Sequence, residues 1–249
     1  MTTEQERHLS ADYFDWQGLH IRQDDGVHKI GTDAVLLGAW VPTILHKVDS
    51  ILDVGTGTGI LALKMALTYA PSRIRAIDID PNAIVLTIEN VAYAGMEEDI
   101  SVREENILDI PTDHERFDCI ISNPPYHPGH LTPKDEQKRL AKHLDASVAH
   151  WVNGMLARME MNGHLIIIVP AVSASTWIES ANTRGYFCVD RLDVYSFPED
   201  PFPVRSLLHL SKPLMKPTFN KVVIYQYGKA YTTDYLQLTG INQSSKANK

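Results

Sequence analysis

The 249-residue sequence is poor in cysteine and has no long apolar run. Its two cysteines, Cys119 and Cys188, stand inside apolar stretches without a CxxC pattern, so neither a disulfide framework nor a zinc site is expected. No segment approaches the roughly 18 consecutive apolar residues of a membrane-spanning helix, and the first ten residues lack the apolar part of a signal peptide. We therefore expect a cytoplasmic protein that has neither a metal nor a membrane partner.

Positive charge is also scarce, with 23 Lys and Arg against 31 Asp and Glu and a net charge of −8. Taken over the whole chain, this balance disfavours a polyanionic partner. The charge is uneven, however, because residues 201–249 carry seven Lys or Arg and one acid. This end therefore has a charge of +6, and −14 remains for residues 1–200. The 14 glycines, 14 prolines and 44% hydrophobic residues indicate an ordinary globular protein with a substantial core.

Short apolar segments typical of strands alternate with helical patterns along most of the chain. Such alternation predicts a doubly wound α/β fold with a mostly parallel sheet. After residue 185, long strand-like segments are joined by a proline-rich loop at 197–205 instead of a helix, which predicts an antiparallel addition at the C-terminal edge of the sheet. The predicted strands cover 50–54, 74–78, 100–104, 117–122, 164–170, 186–197, 206–211 and 221–227, and the predicted helices cover 60–70, 81–95 and 173–185.

A glycine-rich loop with the pattern D-x-G-x-G-x-G runs from Asp53 to Gly59, between a strand and a helix. Glycine lets a ligand approach the backbone closely, and the N-terminus of the following helix supplies N–H donors. A dinucleotide fingerprint would require glycine at Ile60, so the pattern indicates another small molecule with a polar or charged end. The alternative is a tight turn that binds no ligand.

Two acids follow the next strand, Asp78 and Asp80. A carboxylate at this position can accept hydrogen bonds from both ribose hydroxyls. We assign this role to Asp78, and we expect Asp80 to cap the helix that begins at Pro81. Upstream, Thr32 or Asp33 is the expected N-cap of an apolar helix. Lys29 and the start of that helix would border a cofactor carboxylate or a substrate phosphate, unless they form a capped lid and nothing more.

The segment Ser122-Asn123-Pro124-Pro125-Tyr126 directly follows the fourth strand. Two prolines stiffen the backbone, so the Asn123 side chain and the Pro124 carbonyl have fixed directions at the carboxyl edge of the sheet. Together they can accept both N–H bonds of a planar amino group, and Tyr126 can stack on its plane. The segment therefore predicts chemistry on an amino nitrogen, although an isolated structural corner would have the same sequence.

The glycine-rich loop resembles motif I of the S-adenosylmethionine-dependent class I methyltransferases. The Asn-Pro-Pro-Tyr segment resembles the signature of methyltransferases that act on amino groups. Over residues 13–240 the chain is similar to the bacterial family that methylates N6 of the adenine 3′ to the anticodon in valine tRNA. The resemblance implies a Rossmann-like fold with a seven-stranded sheet, S-adenosylmethionine as cofactor, and the tRNA anticodon loop as partner. It does not identify a protein partner.

The resemblance also implies a set of site residues. The catalytic residues would be Asn123, Pro124, Pro125 and Tyr126. The cofactor-binding residues would be Lys29, Thr32, Asp53, Gly55, Thr56, Gly57, Gly59, Asp78, Ile79, Asn106, Ile107 and Asn123. Asn106 departs from the family pattern, which has an acid beside the adenine of the cofactor, but an amide oxygen can accept the same hydrogen bond.

Basic residues after the catalytic motif and near the C-terminus would contact tRNA phosphates. Those after the motif can equally form a solvated helix face. The predicted RNA-binding residues are Lys134, Lys138, Arg139, Lys142, Arg205 and Lys212.

We expect one methyltransferase domain over 1–249. It would have an N-terminal strand and helix lid (1–48), a cofactor-binding and catalytic core (49–170), a C-terminal half of the sheet (171–240) and a disordered tail (241–249). Three alternatives remain open. These are a glutamine-N5 methyltransferase of release factors, a guanine-N2 rRNA methyltransferase, and an RNA- or nucleotide-binding module without catalysis. The first carries a longer helical N-terminal domain, for which the 52 residues before Asp53 are too few.

Overall fold

The first described segment of the chain folds into a tight hairpin. The structure, a computed structural model, describes residues 12–70, 72–109, 115–125, 147–212 and 216–241. They belong to two units, one made of residues 1–105 and 236–249 and the other of residues 106–235. In the first unit, β1 (Asp12–Trp16) and β2 (Leu19–Gln23) pair antiparallel. Gln17 and Gly18 both have positive φ and make the two-residue turn between them.

Three parallel strands form the sheet of the first unit, in the order β3–β4–β5. Every residue of β3 is buried, as is typical of the continuous apolar strands of parallel sheets. The strands are β3 (Ser50–Val54), β4 (Arg73–Asp78) and β5 (Ile100–Glu104), and the helices of this part are α1 (Thr32–Ile44), α2 (Ile60–Thr68) and α3 (Pro81–Ala94).

Two of these helices begin for different physical reasons. At α3 the Asp80 carboxylate accepts from the backbone N–H of Asn82 at 2.9 Å and Pro81 takes the first helical position, so the predicted cap is confirmed. The prediction for α1 was wrong. Its N-cap is Gly31, which makes no side-chain cap bond, and Asp33 lies in the first turn. There its carboxylate is stabilised by the positive end of the helix dipole instead of by a cap bond.

Five strands form the sheet of the second unit, in the order β6–β7–β9–β8–β10. β7 runs parallel to β6, β9 runs antiparallel to both β7 and β8, and β10 runs parallel to β8. The elements are β6 (Phe117–Ser122), a helix α4 whose described part covers 147–156, β7 (Met159–Pro170), α5 (Ala174–Asn182), β8 (Phe187–Tyr195), β9 (Arg205–Ser211) and β10 (Thr218–Val223). A last helix, α6 (Thr233–Thr239), follows.

The predicted antiparallel strand is present as β9, which returns after a loop with three prolines. It lies between β7 and β8, and all its residues after Arg205 are buried. The outermost strand is β10, where four of six residues are exposed. The two units hold eight strands besides the hairpin, close to the seven predicted. Within the described ranges, no helix combines the length and apolar character needed to cross a membrane. The predicted tail from residue 242 onward lies outside them.

Candidate functional site

The glycine-rich loop of the first unit turns sharply between β3 and α2. The N–H groups of Gly55 and Thr56 both donate to the Ile77 carbonyl, at 2.9 and 3.0 Å. The Gly57 N–H donates to Asp78 Oδ2 at 3.0 Å. The loop is therefore bound to the end of β4, and the two predicted parts of a cofactor site, glycines and acid, lie together.

The glycines of this loop have two different roles. Gly55 and Gly57 have φ values of 74° and 58°, and a Cβ added at either would meet no atom within 4 Å. A Cβ at Gly59 would lie 2.9 Å from Thr87 Cγ2 of α3. The third glycine thus permits close packing of the helix. The first two leave open space beside the backbone, where a ligand can approach the N-terminus of α2.

Asp53, at the end of β3, is fully buried. Its Oδ2 accepts from Thr56 Oγ1 at 2.7 Å and from the Ala62 N–H at 3.2 Å. Its Oδ1 has no hydrogen-bond partner in the described part of the chain. Burial raises the pKa of this carboxyl to about 7, although the two hydrogen bonds act to lower it. A ligand that brings an N–H group or positive charge to Oδ1 would offset this cost of burial.

Asp78 presents the second acceptor group of the loop. Its Oδ2 accepts from Gly57 and its Oδ1 accepts from the Asp80 N–H at 3.0 Å. Each carboxylate oxygen can accept a second hydrogen bond, so both oxygens retain an acceptor position suited to a pair of neighbouring hydroxyls. The next residue, Ile79, has 66% of its surface exposed and provides an apolar area beside the carboxylate.

Asn90 of α3 supports the loop and was missed in the sequence. Its Nδ2 donates to the carbonyls of Thr58 (2.8 Å) and Arg22 (3.0 Å), and its Oδ1 accepts from the Arg22 N–H at 2.9 Å. The side chain therefore joins the loop to β2. One signal was available: Asn90 follows Leu86 by four residues and so lies on the buried face of the helix.

Lys29 and Thr32 stay predictions. Lys29 Nζ forms an ion pair with Asp25 at 3.2 Å, in which the Asp25 side chain is almost fully exposed and the Lys29 side chain about half exposed. Thr32 is the first residue of α1 and is half-buried.

The Asn-Pro-Pro turn of the second unit begins where β6 ends. Ser122 pairs with Ile167 of β7, so Asn123 lies at the carboxyl end of this parallel pair. Asn123 is half-buried, Pro124 is buried and Pro125 is exposed. Because proline has no N–H, the ladder cannot continue through the turn. Five of the predicted residues lie outside the described part of the chain: Tyr126, Lys134, Lys138, Arg139 and Lys142.

The predicted adenine-binding residues form a short turn in the second unit. Asn106 Oδ1 accepts from the Leu108 N–H at 3.0 Å, and its Nδ2 is 3.4 Å from Asp109 Oδ1. One acceptor position therefore remains on the amide oxygen, consistent with the predicted role. Ile107 is buried.

A buried arginine that sequence reasoning missed supports this turn. Arg158 is 3% exposed and donates to the carbonyls of Ile107 (3.2 Å), Gly154 (3.3 Å) and Asp109 (3.3 Å). Its guanidinium thus joins the end of α4 to residues 107–109. The sequence does contain a signal for its burial, because Arg158 stands among apolar residues in the segment 155–159.

Gly154 of α4 should tolerate no side chain. An added Cβ would lie 2.1 Å from the Ile107 carbonyl oxygen, so Gly154→Ala must displace the backbone of the turn. We expect a loss of about 2–3 kcal/mol in unfolding free energy, measured by urea denaturation. The control is Gly26→Ala, where the nearest atom is at 3.7 Å and the change should stay within about 0.5 kcal/mol. Equal urea midpoints for the two variants would contradict the close packing of Gly154 against the Ile107 carbonyl.

The two basic residues predicted on the C-terminal strands lie at opposite ends of β9. Arg205 pairs with Pro170 at the carboxyl end of β7, whereas Ser211, next to Lys212, pairs with His164. Seven residues of strand separate the two side chains by about 20 Å. Lys212 Nζ lies 5.4 Å from the centre of the Tyr186 ring. Arg205 alone of this pair shares the edge on which Asn123 lies.

The two cysteine thiols are unsuited to act as nucleophiles or metal ligands. Cys119 is buried and Cys188 is half-buried, and both are free. Burial raises the pKa of both, to about 11 for Cys188, so they remain protonated near neutral pH. Across the described ranges, no three His, Cys, Asp or Glu side chains are grouped to hold a metal ion.

Comparison with known proteins identifies relatives over nearly the whole chain. The Methyltransferase small domain family matches residues 29–169. The tRNA1(Val) (adenine(37)-N6)-methyltransferase of Trichodesmium erythraeum is 33% identical over 237 residues, which cover 92% of this chain and 97% of the relative. The enzyme of the same name from Haemophilus influenzae (strain PittGG) is 31% identical, with 91% and 96% covered.

Solved structures show the same fold at lower identity. A predicted O-methyltransferase from Agrobacterium tumefaciens has a TM-score of 0.65 and 19% identity, covering 84% of this chain and 96% of its own. A T. thermophilus 16S rRNA N2 methyltransferase in complex with AdoMet and guanosine has a TM-score of 0.60 and 17% identity, covering 82% and 50%. The predicted Rossmann-like class I methyltransferase fold is therefore confirmed.

Proposed function

The chain belongs to the tRNA1(Val) (adenine(37)-N6)-methyltransferase family, and on that basis we propose that it transfers a methyl group from S-adenosylmethionine to N6 of adenine 37 in this tRNA. The observation that carries the proposal is the similarity along 97% of a named relative. The Asn123-Pro124-Pro125 turn at the carboxyl end of β6 supports it, since a module that only binds has no need of a fixed pair of amino-group acceptors.

The glycine-rich loop and its acids hold the cofactor. When bound, S-adenosylmethionine supplies the sulfonium methyl group that is transferred. The N–H groups at the start of α2 and the vacant Asp53 Oδ1 suit its charged amino-acid part, and the Asp78 carboxylate suits its ribose hydroxyls. Asn106 and Ile107 contact its adenine.

Asn123 and Pro124 orient the nitrogen that is methylated. The Asn123 side-chain oxygen and the Pro124 carbonyl accept the two N6 hydrogens, which turns the nitrogen lone pair out of conjugation with the ring. Attack needs no base beforehand, because the proton can leave once the nitrogen is cationic. The rate enhancement comes from positioning and from preorganised acceptors. The target base must be unstacked to reach them, and Tyr126 stacks against it.

We further propose the location of the enzyme, the roles of its segments and its RNA contacts. The enzyme works in the cytoplasm on the anticodon loop, without a metal or a membrane partner. Residues 1–48 form the lid, 49–170 the cofactor-binding and catalytic core, and 171–240 the C-terminal half of the sheet of one methyltransferase domain. The basic residues Lys134, Lys138, Arg139, Lys142 and Arg205 contact RNA phosphates.

Transfer of tritium-labelled methyl groups to purified substrates tests the activity. Wild-type protein is incubated with labelled S-adenosylmethionine and with total tRNA, ribosomal RNA or release factor. Label is expected in tRNA, at N6 of adenine 37 after nuclease digestion. Label in release factor or ribosomal RNA with none in tRNA would refute the proposal and select one of the alternatives.

Charge reversal at the two ends of β9 tests the RNA contact. Arg205→Glu should weaken tRNA binding about tenfold at 0.1 M salt. The slope of log affinity against log salt concentration should fall by about one, as expected for the loss of one phosphate contact. Lys212→Glu, at the far end of the strand, should change both much less. Cofactor affinity, measured by calorimetry, should be unchanged in both variants. Equal loss of tRNA affinity in the two variants would indicate a general effect of net charge.

A further inference from the structure

Exposed apolar side chains lie at the carboxyl end of β7, where two segments of the second unit meet. Val172 follows the strand and has 92% of its surface exposed, and Phe202, in the loop before β9, has 77% exposed. The segments are joined by a hydrogen bond from the Ala171 N–H to the Val204 carbonyl at 3.3 Å and by the pairing of Pro170 with Arg205. Both side chains are therefore accessible for contact with a ligand.

The loop that carries Phe202 is rigid. Prolines occupy positions 198, 201 and 203. The Phe197 N–H donates to Asp200 Oδ2 at 2.9 Å, and the Val204 N–H donates to the Val194 carbonyl at 2.8 Å. The Phe197 ring lies 5.6 Å from the Tyr225 ring. The backbone that carries Phe202 is therefore restrained, which reduces the conformational entropy lost by the loop when a ligand binds.

This surface lies on the same edge as the Asn-Pro-Pro turn. Asn123 directly follows Ser122, which pairs with Ile167, and Pro170 lies three residues further along β7. Three residues of strand span about 10 Å. A base turned out of the stack is separated from its neighbours, so a nucleotide adjacent to the target can reach across this distance.

Two acids and one arginine lie in and beside the loop. The acids of the loop are engaged internally, because Asp200 accepts from Phe197 and Glu199 accepts from the Tyr227 hydroxyl. Arg205 begins the next strand. An exposed aromatic ring beside an arginine is the combination that binds unpaired bases in single-stranded RNA.

We infer that Phe202, together with Val172 at the same edge, is the stacking surface for an unpaired nucleobase that neighbours the methylated adenine in the tRNA anticodon loop. The inference rests on the proposed tRNA methyltransferase function. The protein would then contact a second base at this edge, in addition to the target adenine. This contact would hold the anticodon loop open while the target adenine lies at Asn123.

Fluorescence of 2-aminopurine tests this contact directly. The probe replaces the base at position 36 or 38 of an anticodon stem-loop, and its emission falls when it stacks on an aromatic ring. Wild-type protein should quench one of the two probes, and Phe202→Ala should abolish this quenching and weaken stem-loop binding about tenfold. Phe202→Trp should restore both, and cofactor affinity should be the same in all variants.

Phe219→Ala is the matched control, because Phe219 is 65% exposed on β10 of the same unit. It should leave quenching and affinity unchanged. If wild-type protein methylates tRNA but Phe202→Ala changes neither quenching nor affinity, the inference is wrong and the proposed function stands. That result would leave a protein as the occupant of this surface. If wild-type protein neither binds nor methylates tRNA, the proposed function itself fails.

Discussion

Asn123→Ala should reduce kcat for methyl transfer to tRNA by about 100- to 1,000-fold while the affinity for S-adenosylmethionine stays within about tenfold. The side chain follows Ser122 at the carboxyl end of β6, and in the proposed mechanism its oxygen is the acceptor that fixes the target nitrogen. Losing one preorganised hydrogen-bond partner of a reacting group typically has an effect of this size. Single-turnover kinetics and calorimetric titration of the cofactor measure the two quantities separately.

Asn123→Asp provides the conservative control for this experiment. A carboxylate retains an acceptor oxygen at the same position, so part of the activity should survive. If Asn123→Ala lost cofactor affinity as strongly as kcat, the turn would have a structural role. Unfolding curves of both variants identify a loss that comes from misfolding.

The second large effect concerns the pH dependence of stability. Burial raises the pKa of Asp53 from an ordinary value of 3.8 to about 7, so the folded protein binds this proton more tightly than the unfolded chain. The resulting stabilisation is complete below about pH 4 and is lost as pH rises through about 7. In Asp53→Asn this loss should be absent. Between pH 4 and 8 the unfolding free energy of the wild type should fall by about 4 kcal/mol relative to the variant.

Urea denaturation at a series of pH values measures this difference without bound cofactor. Thr56→Val should raise the pKa of the carboxyl further, because the Thr56 hydroxyl donates to Asp53 Oδ2 and lowers this pKa in the wild type. Its loss should move the decline in stability to higher pH. If Asp53→Asn and the wild type gave parallel curves, the carboxyl would be ionised in the folded protein throughout this range.

The sequence predicted two strands of the first unit and one of the second closely, because each is a short strand-like segment between helix or turn patterns. The predictions of 50–54, 100–104 and 117–122 match the observed bounds of β3, β5 and β6. β7 begins at Met159, five residues before the predicted start, because the segment 159–163 lacks the continuous apolar pattern of residues 165–169. The pairing of Met159 with Phe117 across a bulge brings them into the strand. Such pairing depends on a distant segment, and local sequence does not encode it.

The same contrast holds for the candidate site. Asp53, Asp78 and the glycines could be predicted, since their spacing is local and has a direct physical reason. Asn90 and Arg158 could not, because their contacts join residues that are 68 and 51 positions away. Both are single buried polar side chains, and the local pattern marks their burial but not the carbonyls that they bind. Their importance becomes visible once the segments that supply their partner carbonyls are in place.

The position of β9 has a consequence for synthesis of the chain. This strand pairs on both sides, yet it is made after both of its neighbours, so β7 and β8 must wait for residues 205–211 before their facing edges are covered. Until then, β7 exposes the backbone of an apolar run from Leu165 to Val169, a sequence of high β-propensity. An unpaired edge of this kind is a template for aggregation. A chain that stalls or is cleaved before residue 205 therefore belongs to the species that chaperones must hold.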